Sequence, residues 1–151
     1  MNNVGTTPVF VDTGAFYARS DEDDEHHRIA TQVFSDIRSG VLPFKPIYTS
    51  QSVLSELATL LLYKLGHKDA VRALTAIKES ESINVLSVGK PTFEATLDRF
   101  INYNDQQISF VDHTSAILSD ERDIDHIFAF DSDFRTLDFS LIPGDVYIPD
   151  E

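Results

Sequence analysis

Two aspartates directly follow short, apolar, β-prone runs, at the points where buried strands would end. Asp12 comes after Pro8–Val11, and Asp131 comes after Ile127–Phe130. In an open parallel α/β sheet, ligands bind beyond the carboxyl ends of the strands. If the two strands are neighbours, both carboxylates point into one crevice, although they are far apart in the sequence.

Two further acids lie on predicted helices. Asp112 falls in the first turn of a helix that opens at Ser109, and Glu56 lies just outside the apolar stripe of a helix that follows Ser50. Each acid also has an ordinary structural explanation. Asp112 fits a capping arrangement with Ser109, the two strand-end aspartates fit turns, and Glu56 fits an exposed helix face.

Together, the four acids point to a cation site. Two unit charges about 4 Å apart repel by about 4 kcal/mol at an effective dielectric near 20, so a crowded acidic crevice needs protons or a cation. The chain has no Cys, and its His residues form no paired metal-binding motif. Ligands that are all oxygen favour Mg²⁺ or Mn²⁺.

The elements that must position these acids are short apolar strands separated by helical segments. Strands are predicted at Pro8–Val11, Ile47–Thr49, Ile83–Val88, Ile127–Phe130 and Val146–Ile148, with a loop at Asp12–Gly14. Helices are predicted from the acidic run after Ser20 to Arg38, from Ser50 to near Gly66, over His67–Ser80, from Pro91 through Ile101 and from Ser109 through Leu118. This order predicts one α/β domain over residues 1–151, with a mainly parallel sheet of about five strands and helices on both faces.

Composition narrows the class of protein. The chain has 151 residues, 42% of them hydrophobic, and a formal net charge of −13 from 12 basic and 25 acidic residues. The absence of Cys excludes disulfide frameworks and thiol catalysis. No apolar run is long enough to span a membrane and no secretory signal is visible, so we expect a soluble cytoplasmic protein. The acid excess alone argues against a nucleic-acid partner, since phosphate binding normally uses a basic surface.

With these residues in view, the sequence resembles the PIN-domain nucleases, and in particular the small VapC-like toxins of toxin–antitoxin pairs. The resemblance runs along nearly the whole chain. The matching segments are Val9–Phe16, Asp24–His27, Val53–Leu57, Ser109–Ala116 and Ile127–Phe134. Each motif is weak alone, but their order and spacing together are fairly specific.

The resemblance implies an endoribonuclease that hydrolyses phosphodiester bonds in single-stranded or looped RNA. It implies that Asp12, Glu56, Asp112 and Asp131 are catalytic and hold one or two Mg²⁺ or Mn²⁺ ions, with Asp133 as a further ligand. It also implies a homodimer and a small antitoxin protein that covers the crevice.

The sequence departs from the family pattern at one position. Ala129 stands where the family often has Thr or Ser, two residues before the fourth aspartate, and Thr13 and Ser132 are the candidate replacement hydroxyls.

Other readings stay open at this point. An aspartyl phosphotransferase would use Asp12 as its nucleophile, but Gly14 stands where a second acid is expected. A Ser-hydrolase elbow and a Walker A loop are both missing. An RNA-processing nuclease outside any toxin system, and a degenerate PIN fold acting as a binding module, remain alternatives. The RNA target is not determined by these residues.

Overall fold

The structure is a computed structural model that describes residues 5–104, 107–146 and 148. The described residues form five strands: β1 (Thr7–Val11), β2 (Phe44–Ser50), β3 (Ile83–Leu86), β4 (His126–Phe128) and β5 (Ser140–Ile142). They form seven helices: α1 (Thr13–Ser20), α2 (His27–Ser39), α3 (Gln51–Lys64), α4 (His67–Glu79), α5 (Lys90–Asn102), α6 (Phe110–Glu121) and α7 (Asp133–Thr136).

The five strands form one parallel sheet in the order β3-β2-β1-β4-β5. Val9, Phe10 and Val11 of the central strand are all completely buried, so both faces of the sheet are covered. The predicted α/β class, the parallel sheet and the helices on both faces are therefore confirmed.

The crossovers explain how the helices cover both faces. The chain moves outward from β1 to β3 through α1–α4, then returns past β1 to β4 through α5 and α6. Because parallel crossovers are right-handed, this reversal of direction puts the two groups of helices on opposite faces. In the part of the chain that the structure describes, no helix is long and apolar enough to span a membrane.

The first helix corrects the sequence prediction of a loop at Asp12–Gly14. Helix α1 begins at Thr13, directly after the strand-end aspartate. Its residues Ala15–Ala18 are all buried, so the segment shows no alternation between an apolar and a polar face. That periodicity is the main sequence signal of a surface helix, which is why the helix was not predicted.

The last strand was also wrongly placed. The predicted strand Val146–Ile148 is not part of the sheet: Val146 lies in a bend, Ile148 lies outside any strand, and Tyr147 is outside the described residues. The edge strand is Ser140–Ile142, which pairs with β4. Strand β4 itself ends at Phe128, two residues earlier than predicted.

Strand β2 is longer than predicted and contains a proline. It starts at Phe44 and includes Pro46, where the sequence suggested a break before Ile47. The register between β1 and β2 shifts beside this residue, between Thr7 and Val9. A local irregularity of this kind is where a strand can accommodate a residue without an N–H donor.

Candidate functional site

The two strand-end aspartates lie at the carboxyl edge of the sheet, on neighbouring strands. Asp12 directly follows β1, and its backbone N–H donates to the Phe128 carbonyl at the end of β4 over 3.0 Å. Asp131 comes three residues after β4. Thr49 links β2 to β1 at the same edge, because its buried hydroxyl donates a hydrogen bond to the Val11 carbonyl over 2.9 Å. Strands β1 and β4 are neighbours, which is the condition under which the two carboxylates can share one crevice.

Capped helices carry the other two acids to this edge. The Ser109 hydroxyl oxygen accepts a hydrogen bond from the Asp112 N–H at 3.1 Å, which fixes the first turn of α6. The Ser50 hydroxyl oxygen accepts from the Val53 N–H at 3.1 Å and fixes the start of α3, which carries Glu56 in its second turn. Helices α3 and α6 pack against each other, so their acids approach one another.

The tightest cluster contains three of the five acids. One carboxylate oxygen each from Asp112, Asp131 and Asp133 lies within 4.8 Å of the other two. Asp131 and Asp133 are also tied by a turn, since the Asp133 N–H donates to Asp131 Oδ1 over 2.9 Å. Asp12 and Glu56 are not in this triad, but both lie close enough to repel Asp112 or one another.

The turn at Asp131 shows how its carboxylate is oriented although Ala129 stands where the family often has a hydroxyl side chain. Ala129 is buried, and its N–H donates to the Ile142 carbonyl over 3.1 Å. Among the described residues the buried Thr13 hydroxyl has no hydrogen-bond partner, so it does not hold Asp131. The backbone N–H of Asp133 instead orients the Asp131 carboxylate without a side-chain hydroxyl.

Burial and mutual repulsion raise the pKa of the two innermost acids. Desolvation, then repulsion by Asp112, raises the pKa of Asp12 from 3.8 to about 8, against a hydrogen bond from the Thr13 N–H that lowers it. Desolvation, then repulsion by Asp131 and Glu56, raises the pKa of Asp112 from 3.8 to about 7. Desolvation and Asp131 also raise the pKa of Asp133. Electrostatic repulsion therefore links all five predicted acids.

The site fits a hard divalent cation. Asp12 is only 6% exposed and its Oδ1 has no hydrogen-bond partner among the described residues, although a buried carboxylate oxygen normally has one. The triad of Asp112, Asp131 and Asp133 offers oxygen donors alone, which is the donor set that Mg²⁺ and Mn²⁺ prefer. A cation would satisfy the free oxygen and remove the repulsion that raises these pKa values.

An adjoining groove was not found from the sequence. It encloses about 550 Å³ along α3, and we call it the α3 groove; its lining residues are Ser52, Ser55, Glu56, Thr59, Leu60, Tyr63, Lys64 and Val111. Glu56 therefore belongs both to the acidic site and to the groove, and Tyr63 is 83% exposed. The recurrence of polar residues every three or four positions along α3 is the signal that could have identified it.

The histidines near the acidic run have structural contacts. His26 stacks its ring on Phe130 with 4.2 Å between centroids, and His27 Nδ1 lies 2.8 Å from the Ala18 carbonyl oxygen. Both contacts join the segment before α2 to the rest of the domain, so the family-like Asp24–His27 segment has a packing role here.

Comparison with known proteins decides the family. A model of the PIN domain matches residues 9–140. The chain belongs to the PIN-domain family. It is 32% identical over 133 residues to the 23S rRNA-specific endonuclease VapC20 of Mycobacterium tuberculosis, strains CDC 1551 / Oshkosh and ATCC 25618 / H37Rv. The alignment covers 87% of this chain and 95% of that relative, which confirms the predicted resemblance to VapC-like nuclease toxins.

Solved structures agree on the PIN fold. The crystal structure of M. tuberculosis VapC20, described as a sarcin–ricin loop cleaving toxin, matches with a TM-score of 0.78 and 30% identity over 87% of this chain and 95% of that one. FitAcB from Neisseria gonorrhoeae matches with a TM-score of 0.62 at 14% identity, covering 88% and 95% of the two chains. VapBC2 from Rickettsia felis, bound to a DNA fragment from its promoter, matches with a TM-score of 0.64 at 10% identity, covering 89% and 97%.

Proposed function

We propose that this PIN domain is a Mg²⁺- or Mn²⁺-dependent endoribonuclease and the toxin of a toxin–antitoxin pair. The observation that carries the proposal is the convergence of five carboxylates at one edge of the sheet, where the buried Asp12 Oδ1 has no hydrogen-bond partner in the part of the chain that the structure describes. Isolated surface acids would not raise the pKa of Asp12 and Asp112 in this way.

The five residues divide by position. Asp112, Asp131 and Asp133 would hold the cation, and Asp12 would complete the ligand set with its free oxygen. When bound, such an ion polarises the phosphoryl oxygen and lowers the pKa of a water molecule. Glu56 is half-buried and borders the α3 groove, so it faces the incoming RNA and would help to orient the attacking water.

The substrate we propose is a ribosomal RNA loop. Support comes from VapC20, a 23S rRNA-specific endonuclease that is similar to this protein over most of both chains. The α3 groove offers hydroxyl groups from Ser52, Ser55 and Thr59 beside Glu56, with Tyr63 and Lys64 farther along the same helix. An exposed aromatic ring can stack on an unpaired base and an ammonium group can pair with a phosphate. An RNA substrate of this kind places the protein in the cytoplasm.

Two protein contacts are also proposed. A homodimer would use the apolar face of α5, where Phe93, Leu97, Phe100 and Ile101 are between 40% and 63% exposed. An antitoxin would contact the face of α3 and α4 that exposes Leu62, Tyr63 and Val71. Exposed apolar residues clustered in this way commonly mark interaction sites. Co-expression with the neighbouring small open reading frame tests the antitoxin, and failure to form a complex would favour an RNA-processing role.

The test of catalysis is cleavage of a ribosomal RNA loop with Mg²⁺ or Mn²⁺ present. Asp12→Asn and Asp112→Asn should each lower the cleavage rate by about 100-fold or more, since losing a ligand removes several kcal/mol of electrostatic stabilisation from the transition state. Asp123→Asn is the matched control, because Asp123 is exposed and its φ of 56° is one that Asn adopts readily. Full activity in both site variants would contradict the proposal.

Titration with Mn²⁺ separates an enzyme from a binding module. The wild-type chain should bind the ion, and Asp112→Asn should weaken that binding, whereas a fold without a working site should bind none. If the chain binds the metal but cleaves none of the tested RNA loops, the result supports the cation site and contradicts the proposed substrate.

A further inference from the structure

A second cavity lies at the opposite, amino edge of the sheet, where β1, β2 and β3 begin. It encloses about 570 Å³, and we call it the amino-edge cavity. The last turns of α1 and α2 and the turn between α4 and β3 border it, and its apolar wall contains Phe34, Ile37, Leu42, Phe44 and Ile83. A volume of this size is in the usual range for small-molecule sites, about 300–1,000 Å³.

Three basic side chains line this cavity: Arg19, Arg38 and Lys45. Arg19 is half-buried and stacks on Phe34, with its guanidinium carbon 4.2 Å from the ring centroid. Within the described residues, none of Arg19, Arg38 and Lys45 forms an ion pair. Burial, and then repulsion by Arg38, lowers the pKa of Arg19. A desolvated guanidinium without an anion is costly, and an anion between the two arginines would remove that cost.

The local charge is opposite to that of the whole chain. The sequence has 12 basic and 25 acidic residues, yet three basic side chains and a single acidic one, the exposed Glu81, line this cavity. Elsewhere, Arg72, Arg99 and Arg135 each lie within ion-pair distance of an aspartate. The lining of the cavity is therefore net positive in a chain that is strongly acidic overall.

We propose that the amino-edge cavity binds a small phosphate-bearing molecule of nucleotide size. Its phosphate would lie on Arg19 and Arg38, since guanidinium groups bind phosphate through two parallel hydrogen bonds. Lys45 at the rim adds a third positive charge, and the less polar part of the ligand packs against Leu42 and Phe44. The site is separated from the acidic crevice by the length of the sheet, so the ligand does not compete with a cation or with the scissile RNA bond.

Calorimetric titration of the full chain in EDTA tests the proposal, because chelation removes any metal through which phosphate could bind at the acids. The probes are the four nucleoside 5′-monophosphates, inorganic phosphate, a nucleoside without phosphate and a short acidic peptide. At least one monophosphate should bind more tightly than inorganic phosphate, the nucleoside should not bind measurably, and binding should weaken with added salt.

Two variants and one control locate the binding. Arg38→Gln, at an exposed position, should weaken binding by roughly tenfold or more, the loss expected for a charge-assisted hydrogen bond. Arg19→Met, which keeps an apolar stem against Phe34, should weaken it further. Arg72→Gln, on the outer surface of α4, should leave it unchanged, and RNA cleavage should be the same in Arg38→Gln as in the wild type.

Three outcomes would overturn this assignment. They are the absence of binding by any monophosphate, binding that both arginine variants leave intact, and binding of the acidic peptide alone, which would make the occupant a protein segment. The test does not depend on RNA cleavage, so its failure would leave the proposed nuclease function untouched.

Discussion

At the carboxyl edge of the sheet, Asp12 and Asp112 lie among further carboxylates that repel them, whereas at the amino edge Arg19 and Arg38 line a largely apolar cavity. The parallel topology helps to explain this division. Helices α1 and α3 begin directly after β1 and β2 at the carboxyl edge, the first turn of α6 carries Asp112 to that edge, and Arg19 and Arg38 in the last turns of α1 and α2 line the amino-edge cavity. Helix N-termini favour negative charge and C-termini favour positive charge, so the fold stabilises opposite charges at its two ends.

The comparison also shows that net charge is a poor guide to partners. A formal charge of −13 argues against RNA when it is treated as uniform. In the structure, part of the acid excess is gathered where a divalent cation would neutralise it, and part of the basic complement is gathered at the far edge. The partners at each edge therefore depend on the local charge and not on the net charge of the chain.

The largest expected effect is the pH dependence of stability without metal. Because the folded pKa of Asp12 is about 8 against 3.8 unfolded, its contribution is fully present below about pH 4 and is lost as the pH rises through about 8. With Asp112, the loss should amount to a few kcal/mol in the free energy of unfolding. Urea denaturation in EDTA at pH 5 and pH 8 measures it.

Divalent cation should remove this dependence. At a concentration a hundred times its dissociation constant at pH 8, the ion should add about 2.7 kcal/mol of stability at that pH. The same concentration should add less at pH 5, because the ligands must be ionised to bind the ion. If the ion adds the same stability at both pH values, the acids at the carboxyl edge of the sheet are not its binding site.

A smaller effect is expected from removing one of the repelling charges. Asp112→Asn should raise the metal-free free energy of unfolding at pH 8 by roughly 1–2 kcal/mol, since it relieves repulsion on Asp12, while it should lower the cleavage rate by about 100-fold or more. A variant that loses both activity and stability would show that Asp112 has a structural role instead. Thermal denaturation beside Asp123→Asn measures the difference.

Removing a helix cap should have an effect of about 1 kcal/mol. Ser109→Ala deletes the hydroxyl that accepts from the Asp112 N–H, and such N-cap losses typically cost about 1 kcal/mol. Cleavage should fall as well, because the first turn of α6 positions Asp112. Ser50→Ala removes the matched cap at α3, the helix that carries Glu56. If the two variants lose equal stability but unequal activity, the larger loss of activity shows which of Asp112 and Glu56 contributes more to cleavage.

The smallest effect on stability is expected at the amino edge of the sheet. Arg38→Gln in ligand-free protein should change the free energy of unfolding by no more than about 0.5 kcal/mol, since Arg38 is exposed and its repulsion of Arg19 is screened by water. Urea denaturation beside Arg72→Gln checks this. A change as large as that of Asp112→Asn would mean that the two edges store comparable repulsion.

Local sequence signals predicted much of the fold. The apolar runs that end in Asp12 and Asp131 indicated buried strands, and Ser50 and Ser109 marked helix starts that the structure confirms. Helix α1 was missed because its side chains are buried almost all round, and β5 was misplaced because three residues give too short a pattern. These elements depend on packing against neighbours that are distant in the sequence.

The candidate site shows the same division. The sequence by itself determined the chemistry, since it supplies oxygen ligands without Cys and puts acids after strands and in capped helices. It also carried the family motifs, now matched over residues 9–140. The nuclease role of these acids is what we propose.

Only the tertiary structure decided the geometry of the two edges. It placed one carboxylate oxygen each of Asp112, Asp131 and Asp133 within 4.8 Å of the others, and it left Asp12 Oδ1 without a hydrogen-bond partner among residues 5–104, 107–146 and 148. It also gathered Arg19, Arg38 and Lys45 around one cavity, although nothing in their spacing relates them. The physical reason is that electrostatic repulsion depends on distance and burial, and both are set by strand order and helix packing between segments far apart along the chain.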